Sequence, residues 1–214
     1  MRVANMTMDA RQRRTRQRLT DAILTLASEN DLGTITVSEL TVAAGINRST
    51  FYQHANSPVE LLESVLRERL DRIRDGYIRH ATAETIHDTI NAIMLAVVEH
   101  VEENASLYRR TLGEGSAGAS LHVMLAAYFQ DLITDMIDNE FLEVPRSGTS
   151  PDVIASFLAS GTVGALDAWL ERPEPRDPLA FLRSLRLLYP AWWPLPLGLD
   201  EFGREVEPLL PQAS

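Results

Sequence analysis

The chain has 214 residues, 45% of them hydrophobic, and a formal net charge of −10, the composition of an ordinary globular protein of one or two domains. It has no cysteine, which excludes disulfide staples and cysteine-ligated metals. No apolar run is read as reaching the roughly 18 residues that span a bilayer, and no hydrophobic segment precedes the first arginines, so neither a membrane helix nor a secretory leader is expected.

Residues 1–10 carry few apolar anchors and are expected to form a disordered arm. A first helix is predicted from about residue 10 to 30. It begins with Arg11, Arg13, Arg14, Arg16 and Arg18 and continues into an apolar stripe of Leu19, Ala22, Ile23, Leu26 and Ala27. Positive charge at a helix N-terminus opposes the macrodipole, so local stability does not account for it, whereas an anionic partner does. The whole charge pattern agrees: residues 1–56 carry a net charge of +2 and the remainder −12. A weakly basic head on an acidic body suits docking on nucleic acid at one end only. All twenty basic residues are arginine, for which no mechanistic reason is evident.

The stretch Thr36–His54, TVSELTVAAGINRSTFYQH, reads as two short helices joined by a tight turn. Thr36 and Glu39 have the spacing of a capping box. Val37, Leu40 and Ala44 recur at helical spacing. Gly45 tolerates the left-handed backbone that ends a helix, and Asn47 can cap the helix starting at Arg48. Two helices around a glycine-containing turn form a helix-turn-helix. Phe51 is the second helix's one large apolar residue and should face the core, which turns Ser49, Thr50, Tyr52 and Gln53 outward. Those are groups that reach phosphates and base edges.

Residues from about 11 to 66 resemble the DNA-binding domain of the tetracycline-repressor (TetR) family of transcription regulators. The resemblance rests on the basic first helix, Gly33, Thr36–Val37, Ala44–Gly45–Ile46 and, above all, Ser49–Thr50–Phe51–Tyr52–Gln53–His54. It departs from the family pattern at Ala55, where a Phe is usual, and at Pro58, where a Lys is frequent. The resemblance implies a bacterial, cytoplasmic, homodimeric regulator with a three-helix DNA head and a divergent helical body that binds a small-molecule effector. The residues expected to meet double-stranded operator DNA are Arg14, Arg18, Thr36, Ser38, Asn47, Arg48, Ser49, Thr50, Tyr52, Gln53 and His54.

Beyond the head, Ser57, Pro58 and Glu60 restart the chain with a second capping-box pattern and a proline suited to a first turn. The fourth helix, to about residue 80, carries Leu62, Val65, Leu66, Leu70 and Ile73 on one face. At 1.5 Å per residue it spans about 30 Å, long enough to link head and body. The body begins near Thr82 with a fifth helix through Ile86, Ile90, Ile93, Met94, Val97, Val98 and Val101. A short sixth helix covers Ser106 to Leu112, and Gly113–Ser120 is expected to be a flexible break. The seventh helix runs through Leu121, Leu125, Tyr128, Leu132 and Ile137. Ser150-Pro151 opens an eighth, and Asp177-Pro178 a ninth that ends at Tyr189-Pro190. The Trp- and Pro-rich residues 191–214 form a tail. No strand-like alternation and no internal repeat are visible, so the expected fold is all-α with about nine helices.

The division expected is a 1–10 arm, an 11–56 helix-turn-helix head, a 57–80 connecting helix, an 81–190 effector-binding and dimerisation bundle, and the 191–214 tail. The eighth helix is small-sided, with Gly161, Gly164, Ala165 and Ala168, which suits close helix packing. The resemblance places the dimer interface on the last two helices, with Phe157, Gly161, Gly164, Ala165 and Ala168 from one and Leu182 and Leu185, together with Leu188, from the other. Asn91, Met94, His100, Tyr108, His122, Tyr128 and Trp169 mark the region of the expected effector pocket.

An enzyme is the chief rival. A di-iron bundle needs two Glu-x-x-His pairs, and the chain offers one, Glu84 and His87. It has no HExxH, no phosphate-cradling glycine loop and no spacing that marks a triad, so no catalytic residue, metal or cofactor is expected. The alternative function is a helical interaction or ligand-sensing protein that keeps the fold without specific DNA binding.

Overall fold

The computed structural model describes residues 10–82, 84–112, 116–142, 144, 149–190 and 192–194. Nine α-helices and one 3-10 turn occur among them, and no strand. The expected arm, except Ala10, and most of the tail lie outside the described residues. The chain divides into two compact units. One comprises residues up to 67 together with 106–121; the other comprises 68–105 and the chain from 122 on.

In the first unit, α1 (Ala10–Glu29) packs on α2 (Val37–Ala44), and α2 on α3 (Arg48–Phe51). Leu19, Ile23 and Ala27 of α1 are buried, with Leu40, Ala44 and Phe51 opposite them in the core. Local chemistry sets each boundary. Asp31 caps the 3-10 turn Leu32–Thr34 by accepting from the Gly33 N–H. The Thr36 hydroxyl accepts from the Glu39 N–H while the Glu39 carboxylate accepts from the Thr36 N–H, completing the predicted capping box. Gly45 has φ 59°. Its N–H bonds the Val42 carbonyl and the Ile46 N–H bonds the Thr41 carbonyl, the paired closure in which a left-handed residue terminates a helix.

The fourth helix, α4 (Pro58–Ile78), runs through the boundary between the units. Ser57 caps it by accepting from the Glu60 N–H. The reciprocal half of the expected box is shifted by one residue, because the Glu60 carboxylate takes the Asn56 N–H and side-chain amide. Leu61, Leu62, Val65 and Leu66 are buried in the first unit. The helix α6 (Ala105–Leu112) and the start of α7 (Ser116–Asp138) also cluster with this unit. There Ser120 donates a hydrogen bond to Glu63 of α4. Of the break expected over Gly113–Ser120, residues 116–120 are helical instead, as the start of α7, and residues 113–115 lie outside the described residues.

In the second unit, α5 (Ile86–Glu103) packs on α9 (Pro178–Leu188), which also contacts α8 (Pro151–Leu170). A buried cation pins the connection between α8 and α9. Arg176 donates from Nε to Glu102 on α5 at 2.8 Å, and from Nη1 to the carbonyls of Leu170 and Arg172. Its guanidinium carbon lies 5.9 Å from the centre of the Trp169 ring, which in turn stacks on Phe181. Helix α8 corrects one expectation. By length and composition it is apolar enough to cross a membrane. Its sides differ, however: Ala155, Leu158, Ala159, Val163 and Leu166 are buried within the unit, whereas Val153 and Phe157 are exposed.

Candidate functional site

The first surface is the outer face of the helix-turn-helix. Asn47 accepts the Thr50 N–H at 2.7 Å and the Ser49 hydroxyl at 2.8 Å, which sets the start of α3. Phe51 is fully buried, and its ring meets that of Tyr52 edge-on at 5.3 Å. With Phe51 anchored, Arg48, Ser49, Tyr52 and Gln53 are exposed, Tyr52 by 57%. Thr50 and His54 are half-buried at the margins. Burial, and then the charge of Arg16, holds the His54 imidazole below its ordinary pKa, so at neutral pH it presents a neutral ring.

Arg14, Thr36, Ser38 and Asn47 are exposed as well. Thr36 and Asn47 are also cap residues, so their side-chain oxygens already accept backbone N–H groups. Arg18 is exposed, but its Nη2 donates to the Gly45 carbonyl at 2.8 Å. That bond gives Arg18 a role in fixing the turn, which the sequence pattern of a basic helix does not reveal. Ala55 is buried behind α3, and Pro58 is buried in the first turn of α4. Both departures from the TetR pattern therefore sit in packing positions.

The second feature is a cavity of about 340 Å³ inside the second unit. Its wall is mostly aliphatic and aromatic: Ile90, Ile93, Met94, Val97 and Val98 of α5; Phe129, Leu132, Ile133 and Met136 of α7; Leu166 of α8; Leu182 and Leu185 of α9. Arg74, Asp135, Asn139, Thr162, Tyr189 and Trp193 add the polar groups. Of the seven residues marked from the sequence, Met94 lines this cavity. Trp169 is committed to the stack with Phe181, and Tyr108 is buried in the first unit. His100 bonds Asn104 at the C-terminal cap of its helix, and Tyr128 is buried beside Asp71, with burial as the main cause raising its pKa. His122 is half-buried on α7, outside the wall. Asn91 is also outside it, and its amide atoms are buried without a hydrogen-bond partner among the described residues. The polar wall residues Thr162, Tyr189 and Trp193 escaped sequence reading because nothing local distinguishes them from core.

The third feature is an exposed, small-sided face. Val153, Phe157, Gly161, Gly164 and Ala168 are exposed along α8, and Leu187 and Leu188 along α9. A methyl group added at Gly161 or Gly164 would meet nothing within 4 Å, so packing inside the chain does not require glycine there. Ala165 is half-buried. Leu182 and Leu185, expected on the dimer surface, are instead 0% and 2% exposed and line the cavity. Helix α9 is apolar on both sides, so spacing alone could not say which leucines turn inward.

Residues 88–189 match the family model described as the transcriptional regulator C-terminal region, TetR_C_8. No curated protein matches the chain in sequence. Among solved structures, the fatty acid degradation regulator FadR from Bacillus halodurans is similar in fold. Its TM-score is 0.59 at 14% identity, over 80% of this chain and 96% of that one. A TetR transcriptional regulator from Rhodococcus sp. RHA1 gives 0.56 at 20%, over 85% and 98%. SmeT, the repressor of the Stenotrophomonas maltophilia multidrug efflux pump SmeDEF, gives 0.54 at 18%, over 82% and 92%. Residues 88–189 thus belong with the C-terminal region of TetR-family transcriptional regulators, and the all-helical fold of the chain is shared with solved structures of that family.

Proposed function

We propose that the protein is a cytoplasmic repressor that binds a pseudo-palindromic operator as a homodimer and is released by a small-molecule effector. The observation that carries this reading is α3: a helix start capped by Asn47, anchored by buried Phe51, with Arg48, Ser49, Tyr52 and Gln53 held out to solvent. That is the form in which a recognition helix offers donors and acceptors to a major groove. Two such heads would read half-sites about 34 Å apart. The exposed faces of α8 and α9 supply the apolar surface for pairing, and two helices from each subunit would make a four-helix interface. Phe157, Leu187 and Leu188 are its expected anchors, with Gly161, Gly164, Ala165 and Ala168 allowing close approach.

The cavity is the effector site in this reading. Its wall includes Arg74 and Ile78 from the C-terminal half of α4, while the N-terminal half of the same helix is buried in the head unit. A ligand that prefers one setting of α4 therefore has a continuous helix through which to bias the heads. A coupling of about 1–3 kcal/mol changes operator affinity roughly 5- to 150-fold.

The test is fluorescence anisotropy with labelled DNA flanking the protein's own gene, at two salt concentrations and against an unrelated duplex. Tight, specific binding that weakens steeply with salt is expected. Equal affinity for both duplexes would instead support the alternative of a ligand-sensing protein without specific DNA binding.

A further inference from the structure

Trp193 lines the cavity and is 4% exposed, and its indole N–H is buried without a hydrogen-bond partner among the described residues. Leaving such a donor unmatched is costly. Tyr189 lies beside it, with ring centroids 4.8 Å apart, and its hydroxyl is hydrogen-bonded to that of Thr162. Thr162 donates its own proton to the Leu158 carbonyl at 2.7 Å. A hydroxyl has one proton to give, so Tyr189 is the donor in the shared bond. The phenol oxygen keeps lone pairs that can accept. Burial raises the Tyr189 pKa, which keeps the phenol protonated.

The charged members of the wall are Arg74 and Asp135. Arg74 is already held by Asp71 at 3.0 Å and Asp75 at 2.9 Å, so an incoming carboxylate would meet an arginine bound to two acids. Asp135 is exposed and keeps its own hydration. An ion drawn into the apolar interior would lose its hydration without gaining a counter-charge.

We infer, resting on the reading of this cavity as the effector site, that its ligand is an uncharged, largely apolar small molecule bearing one hydroxyl group. That hydroxyl accepts from the Trp193 indole N–H and donates to the Tyr189 oxygen. A group that both donates and accepts matches one free donor beside one free acceptor. A volume of about 340 Å³ lies at the small end of ligand pockets, which run roughly 300–1,000 Å³.

The test uses the full chain and four probes of matched shape in calorimetric titration: 4-butylphenol, 4-butylbenzoate, 4-butylbenzylammonium and butylbenzene. The phenol is expected to bind about tenfold or more tightly than either ion. Its advantage over butylbenzene should fall about fivefold in Trp193→Phe and in Tyr189→Phe, the effect of one lost hydrogen bond. Taking the ratio to butylbenzene cancels the change in volume, and the second variant serves where the first fails to fold. A charged probe that binds as tightly as the phenol overturns the inference, and so does an unchanged ratio in both variants. Either outcome leaves the cavity standing as an apolar effector site. If none of the four binds while operator binding persists, the effector-site reading falls and the inference with it.

Discussion

Arg18 donates from Nη2 to the carbonyl oxygen of Gly45, 2.8 Å away, tying the first helix to the turn between the two helices of the helix-turn-helix motif. Gly45 sits at φ 59°, and a Cβ there would come within 2.2 Å of the same arginine nitrogen. Two costs therefore meet in Gly45→Ala: a left-handed backbone that disfavours a side chain, and displacement of the arginine. Gly45→Ala should destabilise the protein by about 1–2 kcal/mol, and Arg18→Ala by about 1 kcal/mol. Denaturant melts measure both. Arg18→Ala should also weaken operator binding more than its loss of stability explains; an unchanged Kd would make its role purely structural.

Thr36→Ala removes the cap from the first helix of the motif and should cost about 1 kcal/mol. Gln53→Ala touches an exposed side chain and should change stability by less than about 0.5 kcal/mol, whereas Tyr52→Ala also loses the edge contact with Phe51 and should cost about 0.5–1.5 kcal/mol. Each should lower operator affinity by about 1–3 kcal/mol and relax specificity at one base position. Anisotropy titrations beside thermal melts separate the two kinds of residue. Arg48→Ala should lower the slope of affinity against salt by about one.

The two leucine sets on α9 make opposite predictions. Leu185→Ala empties a buried position and should destabilise the fold by about 2–5 kcal/mol. Leu187→Glu and Phe157→Asp act on side chains that are each 73% exposed and should leave the protomer's fold intact. Sedimentation equilibrium should then show a monomer, and operator affinity should drop because one head makes few phosphate contacts. A dimer that survives both exposed-face changes would place the interface elsewhere.

Arg176→Met removes a guanidinium whose side chain is 2% exposed and leaves Glu102, at 22%, without its partner. Breaking one side of such a pair should cost about 2–3 kcal/mol, read as a lower denaturation midpoint. The double variant with Glu102→Gln should recover part of that loss, because the orphaned charge is then gone.

Two histidines make the fold sensitive to acid. Burial, and then the charge of Arg69, depresses the His100 pKa below its ordinary 6.5. His54 is depressed by burial and Arg16. Below 6.5 the unfolded chain therefore binds protons that the folded chain does not, so stability rises with pH through that window and is complete above it. Acidifying from about pH 7.5 to about pH 5.5 should lower the melting temperature. His100→Gln should flatten that slope; an unaltered slope would assign the acid sensitivity to other groups.

What the amino-acid order determined by itself is local. The Thr36–Glu39 box, the Gly45 stop, the Asn47 cap and the outward face of Ser49, Tyr52 and Gln53 around Phe51 all involve partners within a few residues, so spacing alone implies them. The burial of Leu182 and Leu185 rather than Leu187 and Leu188 was decided by tertiary packing, because α9 is apolar on both sides and only its contacts with α5 and α8 choose the inner one. The same holds for the cavity: Thr162, Tyr189 and Trp193 come together from segments up to 31 residues apart, and Arg18 finds Gly45 across 27. Such meetings are fixed by the path of the whole chain, which no helical period records.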